Sequence, residues 1–137
     1  MGNVLFTRRA PKPVTQTLVA AEVYDRLQRA MASDPDGFCE LYRDYLSDAQ
    51  QTLSYLQVAC DNKNGEEFRF KAHYLKSSSL ILGIPPVAQL CTEMQDSGRT
   101  AEFVWEVEKL QELTHLLRLV QSELEQRLGP RVIPIAA

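Results

Sequence analysis

The stretch Glu66-Glu67-Phe68-Arg69-Phe70-Lys71-Ala72-His73-Tyr74-Leu75-Lys76-Ser77-Ser78-Ser79-Leu80-Ile81-Leu82-Gly83 decides how the chain folds. At about 100° per residue, Phe68, Ala72, Leu75, Ser79 and Leu82 fall on one side of a helix. Glu66, Arg69, His73, Lys76, Ser77 and Leu80 fall on the other. The first set is a core face. The second puts His73 in the middle of a helix and turned to solvent. Gly83 ends the segment, and Pro85-Pro86 suit the first turn of the next.

Working outward, the same period recurs in every long segment. Phe38, Leu41, Tyr42, Tyr45, Ala49, Thr52, Leu53, Leu56 and Ala59 mark a helix from about Asp36 to about Cys60. Asp61-Asn62-Lys63-Asn64-Gly65 breaks it, and Ser33-Asp34-Pro35-Asp36-Gly37 precedes it. Before that, Leu18, Val19, Val23, Leu27, Ala30 and Met31 predict a helix starting near Thr17. After Gly83, Val87, Leu90, Cys91 and Met94 predict a short helix from Pro86 to Asp96, closed by Ser97-Gly98. Phe103, Val107, Leu110, Leu113, Leu117, Val120, Leu124 and Leu128 mark the last, from Ala101 to Leu128, stopped by Gly129-Pro130. No segment alternates with period two. The expectation is an all-α fold, an antiparallel four-helix bundle with an additional N-terminal helix, over residues 15–129. Residues 1–14, with Arg8, Arg9, Pro11, Lys12 and Pro13, read as a disordered basic arm. Residues 130–137 read as a C-terminal tail of unassigned position, apolar and uncharged from Val132 on.

Composition narrows the function. The chain has 137 residues, the size of one domain, with 45% hydrophobic and 24% charged residues. A net charge of −3 disfavours nucleic acid, whose phosphates need a basic surface. No apolar run is long enough for a membrane span, and no secretory leader is visible. Gly2 lacks the Ser or Thr expected of a myristoylation signal, since Phe6 stands there. Cys39, Cys60 and Cys91 lie in apolar helical positions, an odd set that fits buried thiols in a reducing, cytoplasmic compartment. His73, His115 and the cysteines show no metal-ligand spacing, so no metal is expected. His115 reads as an ordinary surface histidine.

The polar side of the His73 helix carries the chemistry. A neutral imidazole has a lone pair that can attack phosphorus. Lys76, three residues on, sits beside it and can offset the charge of a phosphoryl group. Small Ser77 leaves room for another protein to approach. Leu80, and Ile84 just past the helix, are apolar beside a reactive group and so suggest a docking patch. An isolated histidine on a helix is ordinarily a plain surface residue, and His73 with Lys76 alone would not carry the reading.

The wider pattern does. Ala72-His73-Tyr74-Leu75-Lys76-Ser77-Ser78-Ser79, then Leu82-Gly83, then Leu90-Cys91 resemble the signature of the histidine-containing phosphotransfer (HPt) family. The resemblance extends through Asp34–Phe38, Tyr45–Asp48 and Leu53 upstream, and Leu110 to Leu124 downstream. Cys91, Gln95, Gly98 and Arg99 are similar to the yeast-type pattern within that family. The resemblance implies a phosphorelay intermediate with His73 as phosphoacceptor and Lys76 in support. It implies that Gln95 reaches phosphoryl oxygens, and that Arg69 and Arg99 lie on the docking side. Implied partners are response-regulator receiver domains and a hybrid sensor histidine kinase, with Mg²⁺ held by the receiver and no cofactor here. The expected molecule is a cytoplasmic monomer, also nuclear if eukaryotic, and not an enzyme by itself. One departure stands out: the family has glycine where Ser77 follows the lysine. Serine adds only a hydroxymethyl group, and its hydroxyl offers the phosphate a hydrogen bond. The competing reading is a non-catalytic HPt-like adaptor, which would have no need of His73 or Lys76. A histidine kinase fits poorly, since Tyr74 stands where an acidic residue would follow the histidine and no glycine-rich nucleotide site is present.

Overall fold

A computed structural model describes residues 17–97 and 106–134. The described residues form five α-helices: α1 (Ala21–Ala30), α2 (Pro35–Asp61), α3 (Gly65–Ile81), α4 (Pro85–Ser97) and α5 (Glu106–Leu128), followed by a 3₁₀ turn over Pro130–Val132. Among the described residues there is no strand.

Local chemistry sets the helix ends. The Asp34 carboxylate accepts from the Gly37 N–H at 3.0 Å, with Pro35 in the first turn of α2. The Asn64 carboxamide oxygen accepts from the Glu67 N–H at 3.1 Å, and Glu66 and Glu67 put negative charge at the start of α3. At the other end of α3 the chain turns at Gly83, which has a left-handed φ of 74°. A Cβ there would stand 2.5 Å from Cβ of Val23, so neither the backbone nor the α1 side chain allows a larger residue.

Helices α2 to α5 close a ring in which α2 packs on α3, α3 on α4, α4 on α5 and α5 on α2. Bonds between neighbours show them antiparallel. Tyr42 pairs with Leu82 and Tyr74 with Asp48, while Asp36 pairs with Arg131 and Gln50 with Gln121. Inside lie Leu46, Leu56, Phe68, Leu75, Met94, Leu113 and Leu124, each almost wholly excluded from water. The Tyr45 hydroxyl, buried among them, meets the Ser79 hydroxyl at 2.7 Å, so the polar pair on the core face satisfies itself.

Helix α1 lies outside the ring and is joined to α2 by an aromatic cluster of edge-on and tilted rings. Tyr24 is 5.1 Å from Phe38 and 5.7 Å from Tyr42, and Phe38 is 5.6 Å from Tyr42. This helix starts four residues later than its apolar spacing suggests. The N–H groups of Leu18 and Val19 are taken by the two carboxylate oxygens of Glu123 on α5, at 2.8 and 3.0 Å, and that of Ala20 by the Gly83 carbonyl at 2.7 Å. Donors held this way favour an extended leading segment, with Val19 buried at its end.

The tail does not simply trail away. Val132 is fully buried and Ile133 packs on the core, while Arg131 pairs with Asp36 at 2.7 Å. The expected arm over residues 1–14, the end of the tail and Phe103 lie outside the described residues. Cys39, Cys60 and Cys91 are buried. Burial pushes the Cys91 thiol up to about 12, against the opposing pull of the Lys76 charge.

Candidate functional site

His73 stands on the exposed side of α3, one residue past Ala72, which is fully buried. The helix continues two turns beyond it, so its backbone is held on both sides. The core residues Phe68, Leu75 and Ser79 fix which way α3 is rotated, and that rotation aims His73 outward.

One neighbour approaches from another helix. The side-chain nitrogen of Gln95 on α4 is 3.2 Å from His73 Nδ1. The antiparallel packing of α3 and α4 makes that meeting possible. The outer ring nitrogen, Nε2, is left facing away from it. Carboxamide orientation and ring tautomer go together here. An N–H of Gln95 can donate to an unprotonated Nδ1, or, with the amide turned over, Nδ1–H donates to its oxygen.

The other expected residues are placed as follows. Lys76 is half-buried between α3 and α4, near enough to Cys91 for its charge to oppose the thiol's upward shift. Ser77 is exposed one turn beyond His73, and Arg69 is half-buried one turn before it. Leu80 is 58% exposed, as the helical wheel requires. Arg99 lies outside the described residues. His115 is exposed on α5.

Ile84 corrects the expected docking patch. It is fully buried in the core cluster. Gly83 reverses the chain, the Ile84 N–H donates to the Ser79 carbonyl at 2.8 Å, and its side chain swings inward beneath the α3–α4 turn. Leu80 is instead accompanied by residues the sequence reading passed over. Phe70, Tyr74 and Ile81 are 63%, 50% and 68% exposed along α3. They follow each other at steps of four and seven, a second apolar stripe on a helix that already has an inward one. That spacing was the available signal. Across the groove, the Lys71 ammonium sits 4.5 Å from the ring centre of Tyr55 on α2. The Tyr74 hydroxyl donates to Asp48 at 3.3 Å, and the Asp48 charge holds that phenol above its usual range. An exposed imidazole thus meets a carboxamide from the neighbouring helix, on a helix that also carries a half-buried ammonium and an exposed apolar stripe.

Among the described residues no group of three or more His, Cys, Asp or Glu is placed to hold a metal, and no helix is long and apolar enough to cross a membrane.

A helical bundle with this arrangement has solved counterparts. Histidine-containing phosphotransfer protein B from Pseudomonas aeruginosa superposes with a TM-score of 0.75 at 22% identity, over 81% of this chain and 94% of that one. The HPT domain of a sensor hybrid histidine kinase from Shewanella superposes with a TM-score of 0.59 at 20% identity, over 77% and 92% of the two chains. At the level of sequence, the chain belongs to the Hpt domain family, whose pattern matches residues 40–127, well over half its length. Multistep phosphorelay regulator 1 of Schizosaccharomyces pombe is 28% identical over 82 residues, which are 59% of this chain and 28% of that protein. The chain therefore spans about a quarter of the length of that curated relative.

Proposed function

We propose that this chain is a phosphorelay intermediate that accepts a phosphoryl group on His73 from an aspartyl phosphate of one receiver domain and passes it to another. The observation that carries the reading is the exposed His73, with Nδ1 engaged by Gln95.

In the forward step the Nε2 lone pair attacks phosphorus. An N–P bond forms as the P–O bond to the receiver's aspartate breaks, which returns that residue to a carboxylate. For Nε2 to carry the lone pair, Nδ1 must hold the ring proton, so Gln95 must present its carboxamide oxygen. Gln95 then also faces the positive charge left on the ring. Its N–H₂ end can turn toward phosphoryl oxygens once they arrive. Lys76 offsets their negative charge from the α4 side, and the Ser77 hydroxyl is a further donor. Arg69, one turn before His73, flanks the docking side. The stripe of Leu80, Phe70, Tyr74 and Ile81 gives a receiver an apolar surface to cover as it brings its aspartate to His73. Mg²⁺ belongs in this reading to the receiver, and this chain supplies half of a reacting centre that is complete only on docking. A hybrid sensor kinase is the expected source of the first phosphoryl group.

The test is transfer from a panel of phosphorylated receivers. The expected product is an acid-labile, alkali-stable label on the intact chain and none on His73→Gln, whose fold is unchanged by circular dichroism. Labelling of His73→Gln by a competent donor would place the acceptor elsewhere.

A further inference from the structure

A second concave site lies away from His73. It is a cleft of about 480 Å³ between the C-terminal ends of α1 and α5 and the N-terminal end of α2. Its floor is apolar, made by Met31, Pro35, Phe38 and Leu128. Its rim carries three arginines from three separate segments: Arg29 on α1, Arg127 on α5 and Arg131 in the 3₁₀ turn. Phe38 begins α2 where Tyr42 bonds to Leu82 at the far end of α3. His73 is nine residues back along α3, roughly 14 Å by helix rise.

Among the described residues two of the three arginine charges are paired and one is not. Arg131 pairs with Asp36 at 2.7 Å, and Arg127 with Glu123 at 3.7 Å while its guanidinium lies 4.6 Å from the Tyr24 ring. The Asp36 and Glu123 carboxylates belong to neither floor nor rim, and Asp34 is occupied in capping α2. Arg29 has no ion pair among the described residues and is exposed on the last turn of α1. Among the described residues no acidic one lines the cleft. The Tyr24 stacking holds Arg127 in a fixed orientation, which lowers the ordering cost of using it.

We propose that this cleft binds a compact organic anion, a carboxylate carried on an apolar body, with the carboxylate at the arginine rim and the body on the Met31–Phe38–Leu128 floor. The volume is that of a small-molecule site, and few convergent polar groups around an apolar floor is how such sites are built. Guanidinium groups match a carboxylate in shape as well as charge. A bare inorganic anion would leave the floor empty, and a neutral apolar molecule would leave the rim unused. The site is independent of the phosphoryl chemistry proposed for His73.

The experiment titrates the full ¹⁵N-labelled chain with 4-phenylbutyrate, with its neutral amide, and with inorganic phosphate. Saturable shifts are expected with the carboxylate at the amides of Arg29, Met31, Phe38 and Leu128, with the neutral amide binding about tenfold more weakly. Arg29→Glu, on an exposed side chain, should weaken carboxylate binding by about tenfold and leave both the thermal melt and labelling of His73 unchanged. Non-saturating or scattered shifts, equal binding of the neutral amide, equal binding of phosphate alone, or an unaltered affinity in Arg29→Glu would each overturn the proposal.

Discussion

Gln95 on α4 reaches across to His73 on α3, its side-chain nitrogen 3.2 Å from Nδ1, so the two helices share one polar contact at the exposed imidazole. If this contact selects the ring tautomer, Gln95→Leu should slow phosphoryl transfer by about tenfold, the size of one lost positioning hydrogen bond. The ¹⁵N shifts of neutral His73 should move toward the tautomer mixture of free imidazole. Gln95 is only half-buried, so the melting temperature should hold. An unchanged tautomer with slowed transfer would instead put Gln95 on the phosphoryl oxygens.

Lys76→Ala should reduce the transfer rate by more than tenfold, since removing one charge from beside the developing phosphoryl group costs about 2 kcal/mol or more in such sites. The effect on unfolding should stay within about 1 kcal/mol, because Lys76 keeps access to solvent. Rapid-quench transfer assays beside urea melts separate the two. A large loss of stability with normal transfer would make Lys76 a structural residue.

Leu80 and Ile84 should now behave oppositely. Leu80→Glu is expected to weaken receiver binding about tenfold, the loss of one good apolar contact, and leave folding intact. Ile84→Ala removes a fully buried side chain and should cost about 2–4 kcal/mol of stability. Its effect on receiver affinity should be small while the chain remains folded. Calorimetry with a cognate receiver and a melt of each variant decide the matter. A collapse of Leu80→Glu would return Leu80 to the core.

The Tyr42 hydroxyl is buried, donates to the Leu82 carbonyl at 3.1 Å, and is pushed by burial from near 10 up to about 12. Its folded value lies above its unfolded one. The stabilising effect is therefore complete below pH 10 and is lost as pH climbs toward 12. In that window the unfolded chain gives up a proton that the fold retains, at about 1.4 kcal/mol per pH unit. Tyr45 moves the same way, also through burial. Urea midpoints should fall between about pH 10 and about pH 12, and fall less steeply in Tyr42→Phe. A flat profile would mean that the fold lets solvent reach Tyr42.

Helices α2, α3 and α4 begin and end within one residue of where Asp34, Asn64 and Gly83 place them in the sequence. Cap residues and prolines act locally, so local reading finds them. The start of α1 could not be found this way. Leu18 and Val19 keep the helical spacing, but their amides are claimed by a glutamate more than a hundred residues away. Ile84 failed for a related reason, since beyond a left-handed glycine the wheel no longer says which way a side chain points. The exposed position of His73 was legible from one helix, whereas Lys76, expected on the solvent face, is half-buried. That Gln95 meets His73 was available only through family resemblance, because it depends on how α4 lies against α3. Phe70, Tyr74 and Ile81 were visible as a spacing but went unread behind the stronger core stripe.

The grip of Glu123 on residues 18 and 19 recognises main chain and is indifferent to what the side chain at 18 is. For that bond any residue but proline serves at position 18, and the choice of leucine is set instead by its packing against the core. Position 123 has no such freedom. Aspartate would fall a methylene short of both amides, and glutamine would offer one acceptor oxygen where two are used. A single side chain near the end of the sequence thus sets the grammar, though not the vocabulary, of a segment near its beginning.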